Sequence, residues 1–199
     1  MKRQFEKIYE NGEWGIGSGE GSLPVHVRGY IKMLEHFIRK NKIKRIIDFG
    51  CGDWQFSRYI NWNGIQYIGF DVVDSVIDYN RTTYTKDNVS FKLFSGQYRD
   101  LPDADLMIVK DVLQHWSSQD IMEFLPILHN YPHCLITNCI NPHGITVNQD
   151  ITNGEFRHLD LRQPPFNLNA KMVYSFANYQ PMWQRLFEKP RWVKNVLYT

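Results

Sequence analysis

The sequence contains few cysteines, and none of them lies in a metal-binding or redox spacing. Its three, Cys51, Cys134 and Cys139, are an odd number without a C-x-x-C pair. This pattern argues against the disulfide framework of a small secreted protein and against a zinc site. Two of the three lie in apolar stretches typical of strands, so we expect all of them to be reduced thiols of a cytoplasmic protein.

Long apolar runs and blocks of like charge are also missing. No stretch approaches the roughly 20 apolar residues of a membrane-spanning helix. The N-terminal residues contain no apolar core of signal-peptide length. The 23 basic and 21 acidic residues are interspersed and leave a net charge of +2. We therefore expect a soluble protein with no membrane partner and no basic surface for nucleic acid, working as a monomer or a homodimer.

The length and composition predict one compact unit. The chain has 199 residues, of which 43% are hydrophobic and 15% aromatic, so it can bury a core of its own. Neither an internal repeat nor a low-complexity linker marks a boundary. Residues 1–199 are therefore predicted to form a single domain.

Short apolar runs alternate with stretches of helical periodicity. The candidate strands cover residues 44–49, 65–71, 89–94, 104–110 and 133–140. The candidate helices cover residues 25–40, 54–60, 72–81 and 118–129, the last with a serine N-cap. This alternation predicts an α/β fold, with a parallel sheet covered by helices on both faces. Two late strands, over 171–177 and 191–198, predict an antiparallel hairpin at the sheet edge.

Two glycines follow the first strand, in the run Asp48-Phe49-Gly50-Cys51-Gly52-Asp53-Trp54. Glycines at a strand-to-helix turn let the backbone approach a ligand closely, and the N-terminus of the following helix favours anionic groups. A nicotinamide-binding turn needs a third glycine, but the residue three after Gly52 is Gln55. Asp48 can instead anchor the turn or meet the ammonium group of a bound amino acid.

Asp71 supplies a second signal at the end of the next strand. It follows Gly52 by nineteen residues. A carboxylate in this position can accept hydrogen bonds from both hydroxyls of a ribose that lies across the strand ends. The alternative role for Asp71 is to cap the helix that begins at Val72. Together, the glycine turn and the carboxylate favour a cofactor that contains a nucleoside.

With DFGCGDW followed by YIGFD, the sequence resembles motifs I and II of the class I methyltransferases that use S-adenosylmethionine (SAM). The segment DLMIVKDVLQHW resembles their motif IV, in the variant with a histidine shortly after the strand. The resemblance covers residues 44–140. It implies SAM as the cofactor and S-adenosylhomocysteine (SAH) as the product. It also implies a Rossmann-like, seven-stranded sheet of order 3-2-1-4-5-7-6 with its last strand antiparallel.

The resemblance also implies a set of cofactor contacts. These residues are Trp14, Ser18, Gly19, Asp48, Gly50, Gly52, Trp54, Asp71, Val72, Gln97 and Lys110. Residues 1–43 are expected to form a cap loop and a helix, with the glycine-rich loop folding over the amino-acid end of SAM. That loop lacks the preceding strand and the Lys-Ser/Thr pair of a phosphate-binding P-loop. Gln97 or a backbone group would replace the acidic residue that often contacts adenine.

Methyl transfer from a sulfonium requires that the protein align the nucleophile and accept its proton. Residues after the fourth strand face the reactive end of the cofactor in this fold. Asp111 and His115 are therefore candidate catalytic residues, together with His158 from a later segment. His115 could instead support its loop or pack under Trp116. Asp111 could orient His115, contact the acceptor or bind a metal, and we expect no metal.

Residues 142–170 form a long polar segment rich in Asn, Gly and Pro, and loops of this length are usually functional or disordered. We expect this segment to bind the methyl acceptor through Arg157, His158 and Asp160. If the acceptor is a nucleotide sugar, Arg157 or Arg162 would meet a phosphate. The alternation from Phe156 to Leu161 also fits a short strand.

A weaker resemblance links the chain to small methyltransferases of glycan synthesis in bacteria and large DNA viruses. It is carried by WGIGSGEGS, DVLQHW and GEFRHLDLRQPPF. This resemblance implies a sugar hydroxyl or an amino-sugar nitrogen as the acceptor, within a free sugar, a glycan or a nucleotide sugar. The alternatives are RNA or its cap, another small molecule, or a SAM-binding module without catalysis.

Overall fold

The computed structural model describes residues 2–15, 17–143 and 147–199. This part of the chain forms seven strands. They are β1 (Arg45–Phe49), β2 (Gln66–Asp71), β3 (Val89–Leu93), β4 (Leu106–Lys110), β5 (His133–Ile140), β6 (Lys171–Ala177) and β7 (Val193–Tyr198). They build one sheet of order β3-β2-β1-β4-β5-β7-β6, which confirms the predicted order.

The directions of the strands also agree with the prediction. β3, β2, β1, β4 and β5 pair in parallel, whereas β7 lies between β5 and β6 and runs antiparallel to both. Parallel strands direct their carboxyl ends to the same edge of the sheet, where open α/β folds bind their ligands. The ends of β1, β2 and β4 therefore meet at one edge.

Helices pack on both faces of the sheet, as expected. They are α1 (Lys2–Asn11), α2 (Pro24–Lys40), α3 (Asp74–Tyr84), α4 (Ser118–Phe124) and the short α5 (Met182–Arg185). One core cluster includes buried residues of α1 and α4, and a second includes buried residues of α2. Among the residues described, no helix combines the length and apolar character needed to cross a bilayer.

The helix predicted over 118–129 is divided into two parts. The Ser117 side chain accepts a hydrogen bond from the Asp120 backbone N–H at 3.2 Å, which confirms the predicted serine N-cap. The α-helical part ends at Phe124, and a 3-10 turn continues from Leu125 to Asn130. Pro126 lies at the start of this turn and lacks the N–H that an α-helix would use there.

The helix predicted over 54–60 is wrong. Only a 3-10 turn, Ser57–Tyr59, forms in this stretch, and Trp54 has a positive φ of 56°. Trp54, Phe56 and Ile60 are all buried in the core cluster that includes α2. Residues 54 and 56 would lie on different faces of a helix, so irregular backbone is needed to bury both. The expected anion-binding helix N-terminus after the glycine turn is therefore absent here.

Helix α1 was not among the predicted elements. Its apolar residues Phe5 and Ile8 are spaced by three and lie on one helical face. Both are buried in the same core cluster as Phe124 of α4. The N-terminal residues therefore form part of the folded core on this face of the sheet.

If α1 contributes to the core, Ile8→Ala should lower the free energy of unfolding by about 2–5 kcal/mol, the usual cost of emptying a buried isoleucine site. Ile8 is 2% exposed, whereas its neighbour Lys7 is exposed. Lys7→Ala is therefore the matched control and should leave stability unchanged. Denaturant titration measures both, and equal stability of the two variants would show that α1 does not pack as described.

Candidate functional site

A cavity of about 410 Å³ lies at the carboxyl edge of the sheet. It is bounded by the ends of β1, β2 and β4, by α1, by the N-terminal loop up to Ser22, and by the start of β7. Its size falls within the range of about 300–1,000 Å³ that small-ligand sites occupy. This is the place at which a parallel α/β sheet is expected to bind a cofactor.

The glycine turn after β1 is held by Asp71 at the end of β2. Asp71 accepts hydrogen bonds from the backbone N–H groups of Gly52, at 3.0 Å, and Val73, at 3.1 Å. Burial raises the pKa of Asp71, although these backbone donors oppose that effect. Each carboxylate oxygen can still accept a further hydrogen bond. Asp71 thus forms a local turn with Val73 just before α3, and it lines the cavity.

Close packing explains the glycine requirement at the turn. Gly50 has a φ of 78°, and a Cβ at this position would collide with the side chain of Val112 after β4. Asp48 lies just before the turn and is 4% exposed. It accepts a 2.6 Å hydrogen bond from the hydroxyl of Tyr67, and burial raises its pKa to about 6.

The N-terminal loop is fastened to the glycine turn through Ser18. Its Oγ donates to Asp53 Oδ1 at 2.7 Å and accepts from the Asp53 backbone N–H at 3.0 Å. The Tyr9 hydroxyl of α1 lies 2.9 Å from the same Oγ. A Cβ on Gly17 would collide with the Asp53 carboxylate, so the close approach of this loop requires glycine. We name this group of contacts the Ser18 clasp.

His115 lies in an aromatic wall of the cavity. Its ring centroid is 4.8 Å from that of Trp14 and 5.9 Å from that of Phe156. Phe156 in turn contacts His158, with centroids 5.4 Å apart. All four side chains line the cavity. The wall therefore joins the N-terminal loop, the turn after β4 and the segment after β5.

The hydrogen bonds of His115 determine which ring nitrogen carries the proton. Nδ1 lies 3.0 Å from the carbonyl oxygen of Glu155, and because a carbonyl can only accept, Nδ1 must be the donor. Burial lowers the pKa of His115 from its ordinary value, which favours the neutral ring. In that state Nε2 is an acceptor, and the side-chain amide nitrogen of Gln114 lies 3.4 Å from it. His115 can therefore take a proton from a ligand bound in the cavity.

A buried ion cluster lies at the other side of the cavity. The ammonium groups of Lys110 and Lys194 each donate to Oδ2 of Asp111 at 2.5 Å. Burial alone would raise the pKa of Asp111, but the two lysines outweigh it and hold that pKa below its ordinary value. Burial lowers the pKa of Lys110 to about 8. We call this group the Asp111 cluster.

The structure brings most of the predicted site residues to this cavity. Those that line it are Trp14, Ser18, Gly19, Asp48, Gly50, Gly52, Asp71, Val72, Lys110, Asp111, His115 and His158. They come from five separated stretches of the sequence. The remaining predicted residues, Trp54, Gln97, Arg157 and Asp160, lie outside the lining.

Trp54 and Gln97 do not reach the predicted cofactor site. The indole of Trp54 is 2% exposed and packs on Tyr67 and Phe91. Gln97 lies at the surface in the turn after β3. Phe94, three residues earlier, lines the cavity at the position where the sequence led us to expect Gln97.

Arg157 and Asp160 do not line the cavity, and their side chains bind within the segment after β5 and its neighbours. The guanidinium of Arg157 donates to the carbonyl oxygens of Trp116, at 2.7 Å, and Gln149, at 2.5 Å. Asp160 accepts two hydrogen bonds from the guanidinium of Arg162, at 2.9 and 2.7 Å, and one from its backbone N–H at 3.1 Å. The alternation from Phe156 to Leu161 forms no strand. His158 is the predicted acceptor ligand that the fold leaves open to the cavity.

Sequence reasoning missed several residues of the lining. Tyr9 belongs to the helix that was not predicted. Arg191, Trp192 and Lys194 come from the start of β7, which the topology inserts next to β5. The available signal was Lys194 itself, because a lysine next to apolar residues of a strand calls for a buried partner.

The comparisons with known proteins agree with this geometry. A sequence model of the O-methyltransferase domain matches residues 28–146. That range contains the glycine turn, Asp71, Asp111 and His115. No curated protein matches the chain.

Solved structures with the same fold include several methyltransferases. Magnesium protoporphyrin IX methyltransferase from Synechocystis PCC 6803, with bound SAH, is 11% identical, with 99% of this chain and 97% of that chain covered and a TM-score of 0.61. A SAM-dependent methyltransferase from Anabaena variabilis ATCC 29413 is 13% identical, with coverages of 99% and 93% and a TM-score of 0.62. Human N-acetylserotonin methyltransferase, in complex with SAM, is 13% identical, with coverages of 85% and 54% and a TM-score of 0.53. At these identities the likeness concerns the fold.

If Asp71 binds the ribose of SAM, Asp71→Ala should weaken the binding of SAM and SAH at least about tenfold. The loss of two hydrogen bonds to a charged acceptor, each worth about 1.5–3 kcal/mol, accounts for this size. Asp78→Ala, an exposed carboxylate on the same helix α3, serves as the control. Calorimetric titration of the folded variants gives both affinities. Unchanged affinity in folded Asp71→Ala protein would remove the ribose assignment.

Proposed function

Because the chain belongs to the O-methyltransferase domain family, it is a SAM-dependent methyltransferase, and we propose that it methylates a hydroxyl of a small polar acceptor, with a sugar as the acceptor class. The observation that carries this proposal is the state of His115, which lines the cavity that also contains the glycine turn and Asp71. Its Nε2 is an acceptor that has a long contact, 3.4 Å, with Gln114 Nε2. An amino-sugar nitrogen is the alternative acceptor within the same class.

The residues at the glycine turn fit SAM. Asp71 has acceptor capacity left for ribose hydroxyls, and Asp48 is a buried carboxylate next to the turn. The Ser18 clasp keeps the N-terminal loop across this part of the cavity, where it would cover the amino-acid end of the cofactor. When bound, SAM supplies a methyl group on a positively charged sulfur.

The cavity residues after β4 would act on the acceptor. Methylation of a hydroxyl forms a bond from oxygen to the methyl carbon, breaks the bond from that carbon to sulfur, and releases the hydroxyl proton. His115 Nε2 is the group that would receive this proton, because Nδ1 is already engaged with Glu155. The resulting imidazolium would keep its Nδ1 hydrogen bond. The Asp111 carboxylate favours the charged ring, and the Lys194 ammonium opposes it.

The surroundings of His115 support a sugar as the acceptor. Trp14, Phe156 and Trp192 offer apolar faces, and His158 and Lys194 offer polar groups in the same cavity. A sugar ring has an apolar face and a rim of hydroxyls, so it matches such a mixed lining. In this proposal the segment 142–170 binds the acceptor through Phe156 and His158, with Arg157 and Asp160 maintaining its shape.

Methyl incorporation from labelled SAM into a panel of sugars and nucleotide sugars tests the proposal. Wild-type protein should methylate at least one member, and His115→Ala should lower turnover by about 10²–10⁴ because the proton acceptor is lost. His129→Ala removes an exposed histidine outside the cavity and should leave turnover unchanged. Near-normal turnover of His115→Ala at saturating acceptor would return this residue to a structural role.

The pH dependence of turnover follows from the same assignment. A proton acceptor must be neutral, and burial lowers the pKa of His115 below its ordinary value of 6.5. Turnover at saturating substrates should therefore be constant through neutral pH and fall only as the pH drops below 6.5. Rate measurements from pH 5 to pH 9 check this. A midpoint above 6.5 would exclude neutral His115 as the group that limits the rate.

A further inference from the structure

Building on the proposed function, we infer that the acceptor carries an anionic group, a phosphate or a carboxylate, which binds to the ammonium of Lys194. Lys110 shares the Asp111 carboxylate with it, and Arg191 also lines the cavity. The inference rests on the charge balance and the hydrogen bonds of the Asp111 cluster.

The Asp111 cluster contains more positive than negative charge. Lys110 and Lys194 are 6% and 2% exposed, and both donate to the same carboxylate oxygen of Asp111. One carboxylate compensates for one ammonium. A second buried ammonium without a counterion is costly, since removing a charge from water requires pairing to offset the loss of hydration. A bound anion would supply that pairing.

The hydrogen bonds identify Lys194 as the open donor. An ammonium has three N–H groups. Those of Lys110 have acceptors in Asp111 Oδ2 at 2.5 Å, Gly21 O at 3.4 Å and Ser22 Oγ at 3.4 Å. Within the described part of the chain, Lys194 has only Asp111 Oδ2 at 2.5 Å and Gly21 O at 3.2 Å. The ammonium also lies 4.6 Å from the centroid of the Trp192 ring, which has no oxygen to accept a hydrogen bond. Among the described residues one N–H of Lys194 therefore has no oxygen acceptor, and Lys194 lines the cavity.

The other carboxylates of the cavity do not complete the pairing. Glu20 pairs with Arg191 and contacts His26 at 3.4 Å. Asp48 accepts its hydrogen bond from Tyr67, and the charge of Lys110 acts to lower its pKa, but among the described residues it forms no ion pair with either lysine. Asp71 is held by backbone donors at the far end of the glycine turn. The excess charge therefore remains at the β4 and β7 side of the cavity.

The surroundings also favour entry of an anion at this side. The side chain of Arg191 is 67% exposed and lines the cavity. Although Arg191 is paired with Glu20, its exposed guanidinium keeps further N–H donors that an anion entering the cavity can meet. The two arginines that the sequence suggested for a phosphate are committed elsewhere, Arg157 to carbonyl oxygens and Arg162 to Asp160. In this inference the phosphate is bound by the Asp111 cluster instead, through Lys194.

The carboxylate of SAM itself is the other anion that could meet Lys194, and the experiment must separate the two sources. Binding to Lys194→Met protein is compared for SAH, which has an amino-acid carboxylate, and for 5′-methylthioadenosine, which lacks it. If the affinities for the two ligands change equally, or not at all, Lys194 does not bind the carboxylate of the cofactor, and the anion it binds belongs to the acceptor. A loss confined to SAH would overturn the inference, because Lys194 would then bind the cofactor.

The direct test uses SAH-saturated protein titrated with glucose 6-phosphate, with inorganic phosphate and with uncharged glucose, at constant ionic strength. Wild-type protein should bind both phosphates better than glucose. Lys194→Met keeps the length of the side chain without its charge and should weaken phosphate binding by about tenfold or more, as expected for a lost charge-assisted hydrogen bond. Lys189→Met removes an exposed lysine outside the cavity lining and should bind as wild type.

Equal phosphate affinity in wild-type and folded Lys194→Met protein would overturn the inference. If Lys194→Met does not fold, Lys194→Arg and Arg191→Met replace it: the first should retain phosphate binding and the second should weaken it. Loss of phosphate binding in Lys194→Arg together with unchanged phosphate binding in Arg191→Met would again overturn the inference. Because these titrations need no turnover, they separate this inference from the proposed function. Phosphate binding without methyl transfer to any sugar would contradict the function alone.

Discussion

The Asp111 cluster is the interaction on which the cavity depends. It joins Lys110 at the end of β4, Lys194 of β7 and, through both lysines, the carbonyl oxygen of Gly21 in the N-terminal loop. Three parts of the chain that are distant in sequence therefore meet at one buried carboxylate. Without Asp111, two buried ammonium groups would have no counterion, and such a loss typically costs about 3–5 kcal/mol. Asp111 also has a φ of 60°, which non-glycine residues adopt only where the surrounding structure maintains it.

The position of β7 explains why the cluster can form. Because β7 is inserted between β5 and β6 and runs antiparallel to both, its first residues lie near the carboxyl ends of the parallel strands. Lys194 pairs with Cys139 of β5 in the sheet, and both residues line the cavity. The Ser18 clasp closes the opposite side, over the glycine turn. Together these contacts enclose a site in which electrostatic interactions are stronger than in water.

Local features of the sequence predicted which residues around the glycine turn line the cavity. The glycine turn and Asp71 lie at the ends of neighbouring strands, so their proximity follows once the strands are recognised. The sheet order came from the resemblance of these same motifs to a known family. Asp111 and His115 followed from their place after β4.

The remaining features depend on tertiary contacts that a single sequence does not display. Trp54 follows the glycine turn but is drawn into the core, because Tyr67 and Phe91 offer an apolar site for its ring. Arg157 has a side chain suited to binding an anion, but its guanidinium donates its hydrogen bonds to backbone carbonyl oxygens instead. Lys194 becomes part of the cavity only through the strand order. A polar side chain in a long loop can thus either bind a ligand or stabilise the loop itself, and the tertiary structure determines which of the two it does.

A crystal structure of the protein with bound SAH tests the central claim most directly. We expect the ribose hydroxyls of SAH to lie within hydrogen-bonding distance of Asp71, about 2.5–3.0 Å between oxygen atoms. We also expect the sulfur to face the part of the cavity between His115 and Lys194. SAH bound with its ribose away from Asp71, or with its sulfur directed away from His115 Nε2, would contradict the proposed site and the role of His115 together.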